Sequence, residues 1–280
     1  MDIYSFVRYF YESVKTEKTV IGKSLFGRDI YAIKLGDGAP VGIAQYALHG
    51  REHITAKLAA AQYERQYERG GAAGSIWLLP LTNPDGALLS QTGITSAPKE
   101  RRAELIALNG ERGEDFSLWK ANGRGVDLNV NFPARWGTGA KNVRFAGGEN
   151  YIGAKPFSEP ENLALKQFTE KIRPQYTLSY HTKGEEIYWR FHQPKERCVR
   201  DKALAAALSR ATGYPLAEAG RSAGGYKDWC IQRFKIPSFT VEVGSDLWAH
   251  PLGDEALQEI IERNENALAV LSAAYEKTER

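Results

Sequence analysis

The stretch Ala47-Leu-His-Gly-Arg-Glu-His-Ile-Thr55 decides how this chain reads. It closes an apolar run, Val41 to Leu48, with the character of a buried strand, and opens a segment, Glu52 to Arg69, with helical periodicity. His49 and Glu52 therefore fall three residues apart where a strand gives way to a helix. An imidazole and a carboxylate at that spacing can close on one zinc ion. So short a motif arises by chance in many chains, and its weight comes from its setting and from the rest of the sequence.

Three further islands supply what a hydrolytic centre needs. His181 sits just past a second apolar strand pattern, Tyr176-Thr-Leu-Ser-Tyr180, and Glu242 lies inside Pro237-Ser-Phe-Thr-Val-Glu-Val-Gly244. Between them in character runs Gly125-Val-Asp-Leu-Asn-Val-Asn-Phe132, with Trp119 and Lys120 shortly before it. A hydrolytic zinc takes three protein ligands and keeps a fourth position for water, whose pKa it lowers towards roughly 7. His49, Glu52 and His181 form such a His-Glu-His set, which suits one Zn2+ per chain on ligand type. Amide cleavage also needs a carboxylate that takes the water's proton and passes it to the leaving amine. Glu242 is the candidate, because a carboxylate in an otherwise apolar strand is costly to bury without a purpose. The oxyanion must meet a cation or a fixed donor, and Lys120 is placed in that role.

The order and character of these islands resemble the zinc metallocarboxypeptidase family, carboxypeptidase A-like, over nearly the whole chain. Thr19 to Ile30 looks like the family's opening strand and turn, and Leu78-Leu-Pro-Leu-Thr-Asn-Pro-Asp-Gly86 looks like its strand and Asn-Pro-Asp-Gly turn, to which no catalytic role is given. The resemblance implies that His49, Glu52 and His181 are the metal ligands and that Arg51 reaches into the substrate cleft. Trp119 and Lys120 match a Trp-Arg pair whose arginine polarises the scissile carbonyl. Lysine keeps the charge but loses the planar fork, and Arg124 is a rival for the role. Asp127 matches the carboxylate that orients the first zinc histidine.

The departures are informative. Carboxypeptidases of this family read Asn-Arg where this chain has Asn129 followed by Val130, and that pair holds the substrate's terminal carboxylate. Valine carries no charge and donates no hydrogen bond. Gly220 stands where the family's cleft tyrosine belongs. One branch fits these changes: peptidases that cut between γ-D-glutamate and a diamino acid, usually meso-diaminopimelate, in bacterial cell-wall peptides. They carry stretches similar to His181-Thr-Lys-Gly-Glu-Glu-Ile-Tyr-Trp189, to the Trp119 to Asn129 segment and to Gly224-Gly-Tyr-Lys-Asp-Trp229. Such a substrate bears carboxylates and an ammonium, which Arg51, Arg221 and Lys227 near Glu185 and Glu186 would suit. A conventional carboxypeptidase, a deacylase of the same fold and a silent module that only holds cell-wall peptides are the competing expectations.

Length and composition agree. At 280 residues and 42% hydrophobic, the chain can bury one large core, read as a single catalytic domain over 1–280 with no linker or repeat. The charges balance, 37 basic against 34 acidic, which speaks against nucleic acid. Cys198 and Cys230 allow at most one bridge, and free thiols are the simpler reading. No signal peptide is visible at the N-terminus and no apolar stretch approaches the roughly 20 residues of a membrane span, so a cytoplasmic location is expected, without a membrane partner. Oligomeric state is left open. Helices are expected over Asp2 to Lys15, Glu52 to Arg69 and Gly253 to Lys277, and strands over Ile30 to Leu35, Val41 to Leu48, Ser75 to Leu79, Tyr176 to Tyr180 and Ser238 to Val243. Their alternation predicts an α/β three-layer sandwich, a mixed twisted sheet with helices on both faces and ligands at strand ends. The irregular regions Gln91 to Arg124 and Trp136 to Ser158 are expected to build cleft walls.

Overall fold

Alternation along the central strands separates two apolar surfaces that helices then cover. The computed structural model describes residues 1–70, 73–218 and 220–278. Helix α1 (Ile3–Ser13), capped by the Asp2 carboxylate on Ser5 N, precedes the antiparallel hairpin β1 (Lys18–Lys23) and β2 (Asp29–Gly36). Next come β3 (Val41–Tyr46), α2 (Ile54–Glu68), β4 (Ser75–Leu79), α3 (Pro84–Thr92) and α4 (Arg102–Leu108). A long irregular passage leads to α5 (Pro160–Ile172), β5 (Tyr176–Thr182), β6 (Glu186–Tyr188), α6 (Lys195–Thr212) and β7 (Leu216–Ala217). The chain then runs through α7 (Tyr226–Arg233), β8 (Ser238–Val243), α8 (Leu257–Asn264) and α9 (Ala267–Thr278).

Among the described residues, eight strands form one mixed sheet in the order β1-β2-β4-β3-β5-β8-β6-β7, with β4, β3, β5 and β8 parallel at its centre. Side chains of successive strand residues point to opposite faces. Ala44, Tyr46, Ile76, Leu78, Leu178, Tyr180, Val241 and Val243 pack on one face with α2, α6, α8 and α9. Ile43, Trp77 and Leu79 pack on the other with α5 and α7. Each fully buried Leu, Ile or Val contributes about 1.5–3 kcal/mol, so the pattern fixes which face each strand presents. On β5 and β8 the second face carries polar residues, Thr177, Ser179 and His181 beside Ser238, Thr240 and Glu242, all at parallel register positions. The α/β sandwich with helices on both faces is thus the fold.

Several boundaries differ from the sequence expectation for identifiable reasons. β3 stops at Tyr46 because Ala47 turns to a positive φ of 48°, its N–H donating to Thr55 Oγ1 at 2.9 Å and its carbonyl accepting Asn83 N at 3.1 Å. β5 runs on to Thr182, so His181 lies within the strand and pairs with Glu242 rather than following it. Glu52 belongs to a 3-10 turn, Gly50–Glu52, ahead of α2. The helix expected from Gly253 to Lys277 is two: Gln62 and Gln66 of α2 donate to the carbonyls of Asn264 and Glu265 at 2.8 and 2.9 Å, which breaks the chain there. Cys198 and Cys230 are both free.

The Asn-Pro-Asp-Gly segment is more than a turn, since it starts α3. Asn83 Oδ1 caps Gly86 N at 2.9 Å, while its Nδ2 donates to Leu48 O and Ala121 O at 3.2 and 3.1 Å. One buried amide therefore ties the residue before His49 to the residue after Lys120. Gly50 sits in the same seam, where a Cβ would stand 2.4 Å from Gly86 O, so only glycine lets the chains close. Replacing Asn83 by alanine removes a cap and strands two buried carbonyls. The expected loss is about 2–4 kcal/mol, read as a lowered unfolding midpoint, together with weaker metal retention.

Candidate active site

The parallel strands β3, β5 and β8 end side by side, and open α/β sheets place their sites at such carboxyl ends. His49 Nδ1 lies 2.8 Å from Glu52 Oε1, His181 Nδ1 lies 2.8 Å from Glu52 Oε2, and the two Nδ1 atoms are 3.0 Å apart. All three side chains are buried, and among the described residues they form the one His/Cys/Asp/Glu group able to hold a metal ion.

The other edge of His49 explains why its Nδ1 faces inward. Asp127 Oδ1 accepts from His49 Nε2 at 3.2 Å and from Asn129 N at 3.0 Å, and Oδ2 contacts Lys120 Nζ at 2.8 Å and accepts Asn150 N at 3.2 Å. These four contacts fill the carboxylate's acceptor sites. Burial alone would raise the Asp127 pKa, yet the Lys120 ammonium and His49 hold it well below the usual range. An ionised Asp127 accepts a hydrogen bond from the Nε2–H of His49 and leaves the Nδ1 lone pair directed at Glu52 and His181.

That arrangement calls for positive charge. Burial disfavours an imidazolium at His49, but Glu52 and Asp127 together raise its pKa above the ordinary value. Burial likewise opposes the Glu52 carboxylate, and the two histidines outweigh it and hold it well below its usual pKa. Tetrahedral ligands about 2.0–2.1 Å from a zinc ion sit roughly 3.3 Å apart, close to the 2.8–3.0 Å separations present. The donor set, its burial and its spacing all fit zinc.

A cavity of about 400 Å³ opens beside this group. His49, Lys120, Asn129, Val130 and Glu242 line it, as do Arg221 and Lys227. Burial pushes the Glu242 carboxyl up to about 8, with Glu52 adding to the rise against His181 and Lys120, and a metal ion nearby would draw it back down. Burial would lower the Lys120 pKa, but Asp127 raises it above the ordinary value.

The structure separates the expected cleft residues. Arg51 stays outside the cavity, its guanidinium against Leu118 O and Glu149 at 3.4 Å each. Arg124 pairs with Glu159 at 3.4 Å and is also absent from the cavity wall, which leaves Lys120 as the cation next to the metal group. Glu185 is drawn away by Arg263 at 3.2 Å, and Glu186 accepts the Tyr188 hydroxyl. Gly220 has a positive φ of 56° and presents no side chain. Sequence reasoning passed over Tyr188, Thr240, Asp228, Lys141 and Asn142, which line the cavity. Thr240 was findable, being two residues before Glu242 and so on the same strand face, and Tyr188 is its register partner on β6.

A buried His-Glu-His group beside a polar cavity at the ends of parallel strands is the architecture of a metallohydrolase. The chain belongs to the zinc carboxypeptidase family, peptidase family M14, whose model matches residues 3–267. It is 33% identical over 253 residues to gamma-D-glutamyl-L-diamino acid endopeptidase 1 of Lysinibacillus sphaericus, covering 84% of this chain and 62% of that protein. It is 32% identical over 148 residues to murein peptide amidase A of Escherichia coli strain K12, covering 49% of this chain and 56% of that protein. The chain thus spans less than two thirds of the length of these relatives. Bovine thrombin-activatable fibrinolysis inhibitor, solved with tick carboxypeptidase inhibitor, shares the fold with a TM-score of 0.78 at 19% identity over 99% of this chain and 98% of that one. Among the described residues no helix is long and apolar enough to cross a membrane.

The geometry gives a graded expectation for metal. His181→Ala removes a ligand and should abolish stoichiometric zinc in the purified protein, whereas Asp127→Asn should keep the site but weaken zinc about 10- to 100-fold in chelator competition.

Proposed function

We propose that the chain hydrolyses the amide bond between γ-D-glutamate and a diamino acid, meso-diaminopimelate, in bacterial cell-wall peptides. The observation that carries this reading is the cavity wall. Asn129 and Val130 stand where the family's carboxypeptidases hold a terminal carboxylate with Asn-Arg, and the cations come instead from Lys141, Arg221 and Lys227. Similarity to an endopeptidase named for γ-D-glutamyl-L-diamino acid bonds and to a murein peptide amidase supports the same substrate class.

His49, Glu52 and His181 would hold the zinc, which when bound supplies a Lewis acid for the scissile carbonyl and lowers the pKa of a water. Glu242 faces the cavity from β8 beside His181, and it takes the attacking water's proton and hands it to the α-amino group of the leaving diamino acid. Lys120 keeps two N–H groups beyond its bond to Asp127, and these meet the carbonyl oxygen as it gains charge. Asp127 acts on both sides, fixing the His49 ring and the Lys120 ammonium. Asn129 holds the first turn of α7 through its Oδ1 on Tyr226 N at 3.1 Å, so its contribution to substrate binding is to shape the wall.

Two measurements test this. Zinc-loaded protein incubated with L-Ala-γ-D-Glu-meso-diaminopimelate should release free diaminopimelate in a chelator-sensitive reaction and leave a hydrophobic C-terminal dipeptide intact. The reverse pattern would mean a conventional carboxypeptidase. Glu242→Gln should retain zinc and lose turnover by roughly two to four orders of magnitude, and full activity in that variant would remove Glu242 from the role of base.

A further inference from the structure

Away from the cavity, three buried carboxylates gather beside the loop that joins Lys120 to Asp127. Glu159 and Glu161 stand at the start of α5 and Asp85 at the start of α3, and all three are buried. Asn122 Nδ2, within the loop, donates to Glu159 Oε2 at 2.8 Å and to Glu161 Oε2 at 3.2 Å. The opposite edge of that amide shapes the loop itself, its Oδ1 accepting Arg124 N at 3.0 Å and Val126 N at 3.1 Å. Trp119 Nε1 closes the turn on the Asn122 carbonyl at 3.2 Å. The two glutamates therefore grip, through one asparagine, the segment that carries both Lys120 and Asp127.

Only two cations answer the three carboxylates. Arg28, in the turn before β2, pairs with Asp85 Oδ1 at 2.6 Å, and Arg124 reaches Glu159 Oε2 at 3.4 Å from an exposed side chain. Among the described residues Glu161 has no ion pair; its Oε1 accepts Leu25 N at 2.9 Å and its Oε2 accepts the shared amide. A buried charge without a counter-charge is costly, and a proton removes it. We infer that Glu161 is a pH-sensitive positioning residue, which as a neutral acid lets both glutamates share Asn122 and which, once ionised, repels Glu159 and Asp85 and slackens the Lys120 to Asp127 loop. Burial and the Asp85 charge push the Glu161 carboxyl up to about 7, against the hydrogen bonds from Leu25 and Asn122. Glu161 does not line the cavity and acts on His49 only through Asn122 and Asp127. Because its pKa rises from 4.5 to about 7 on folding, the stability it contributes is full below about pH 4.5 and is lost as the pH climbs to about 7.

The inference goes beyond the function proposed above, and its test needs no substrate. Zinc-loaded wild type is compared with Glu161→Gln, which keeps the shape of the side chain without its charge, from about pH 5 to about pH 8.5. The melting temperature of the variant relative to wild type should rise by roughly 4 °C over that interval, most of it below about pH 7. In chelator competition the two should hold zinc alike at about pH 5.5, and the variant about threefold more tightly at about pH 8.5, where the wild-type loop has loosened Asp127 from His49. A purely structural role would move the first measurement and leave the second unchanged. Differences that stay constant with pH, or a shift in melting alone, would overturn the inference. Should Glu161→Gln fail to fold, infrared spectra of Glu242→Gln, which lacks the other carboxyl raised by burial, decide the matter. A protonated-carboxyl band should be present at about pH 5.5 and fade through about pH 7; its absence would overturn the inference.

Discussion

Everything at the site depends on the two-sided hold on one imidazole. Asp127 fixes the Nε2 edge of His49, and Lys120 holds Asp127 from the opposite oxygen, so the Nδ1 edge is left to face Glu52 and His181. The carboxylate that orients the ring thereby also holds the Lys120 ammonium at the cavity wall. Loss of Asp127 would release both groups at once, and so the His-Glu-His group and the Lys120 ammonium are one mechanical unit.

The sheet supplies the rest of the geometry. Three adjacent parallel strands end within two residues of one another, and the register of β5 and β8 sets His181 directly against Glu242. Ala47 bends β3 away just early enough to bring His49 back over that edge, and Asn83 locks the bend to the Lys120 segment. The apolar faces of β5 and β8 explain why the polar residues can sit where they do. With Tyr180, Val241 and Val243 packed beneath α2, α6, α8 and α9, the alternate positions have no choice but to face α7 and the cavity.

Much of this was legible in the sequence, because metal ligands and a buried carboxylate violate the local apolar pattern and stand out from it. His49, Glu52 and His181 converge as their types demanded, Glu242 and Lys120 face the cavity, and the five expected strands are present. Less legible was whatever depends on long-range partners. Arg51 and Glu185 meet Glu149 and Arg263 from distant points of the chain, and the C-terminal helix looks continuous until two glutamines of α2 capture its carbonyls. The Asn-Pro-Asp-Gly segment reads as a turn from composition, and only its contacts to Leu48 and Ala121 show that it fastens the site.

The most direct test of this account is diffraction from zinc-loaded crystals at the zinc absorption edge. The predicted result is a single anomalous peak bonded to the Nδ1 atoms of His49 and His181 and to the Glu52 carboxylate, with Asp127 still on His49 Nε2. A peak bonded through Nε2 of His49, or one located away from these three residues, would contradict the two-sided hold from which the rest is argued.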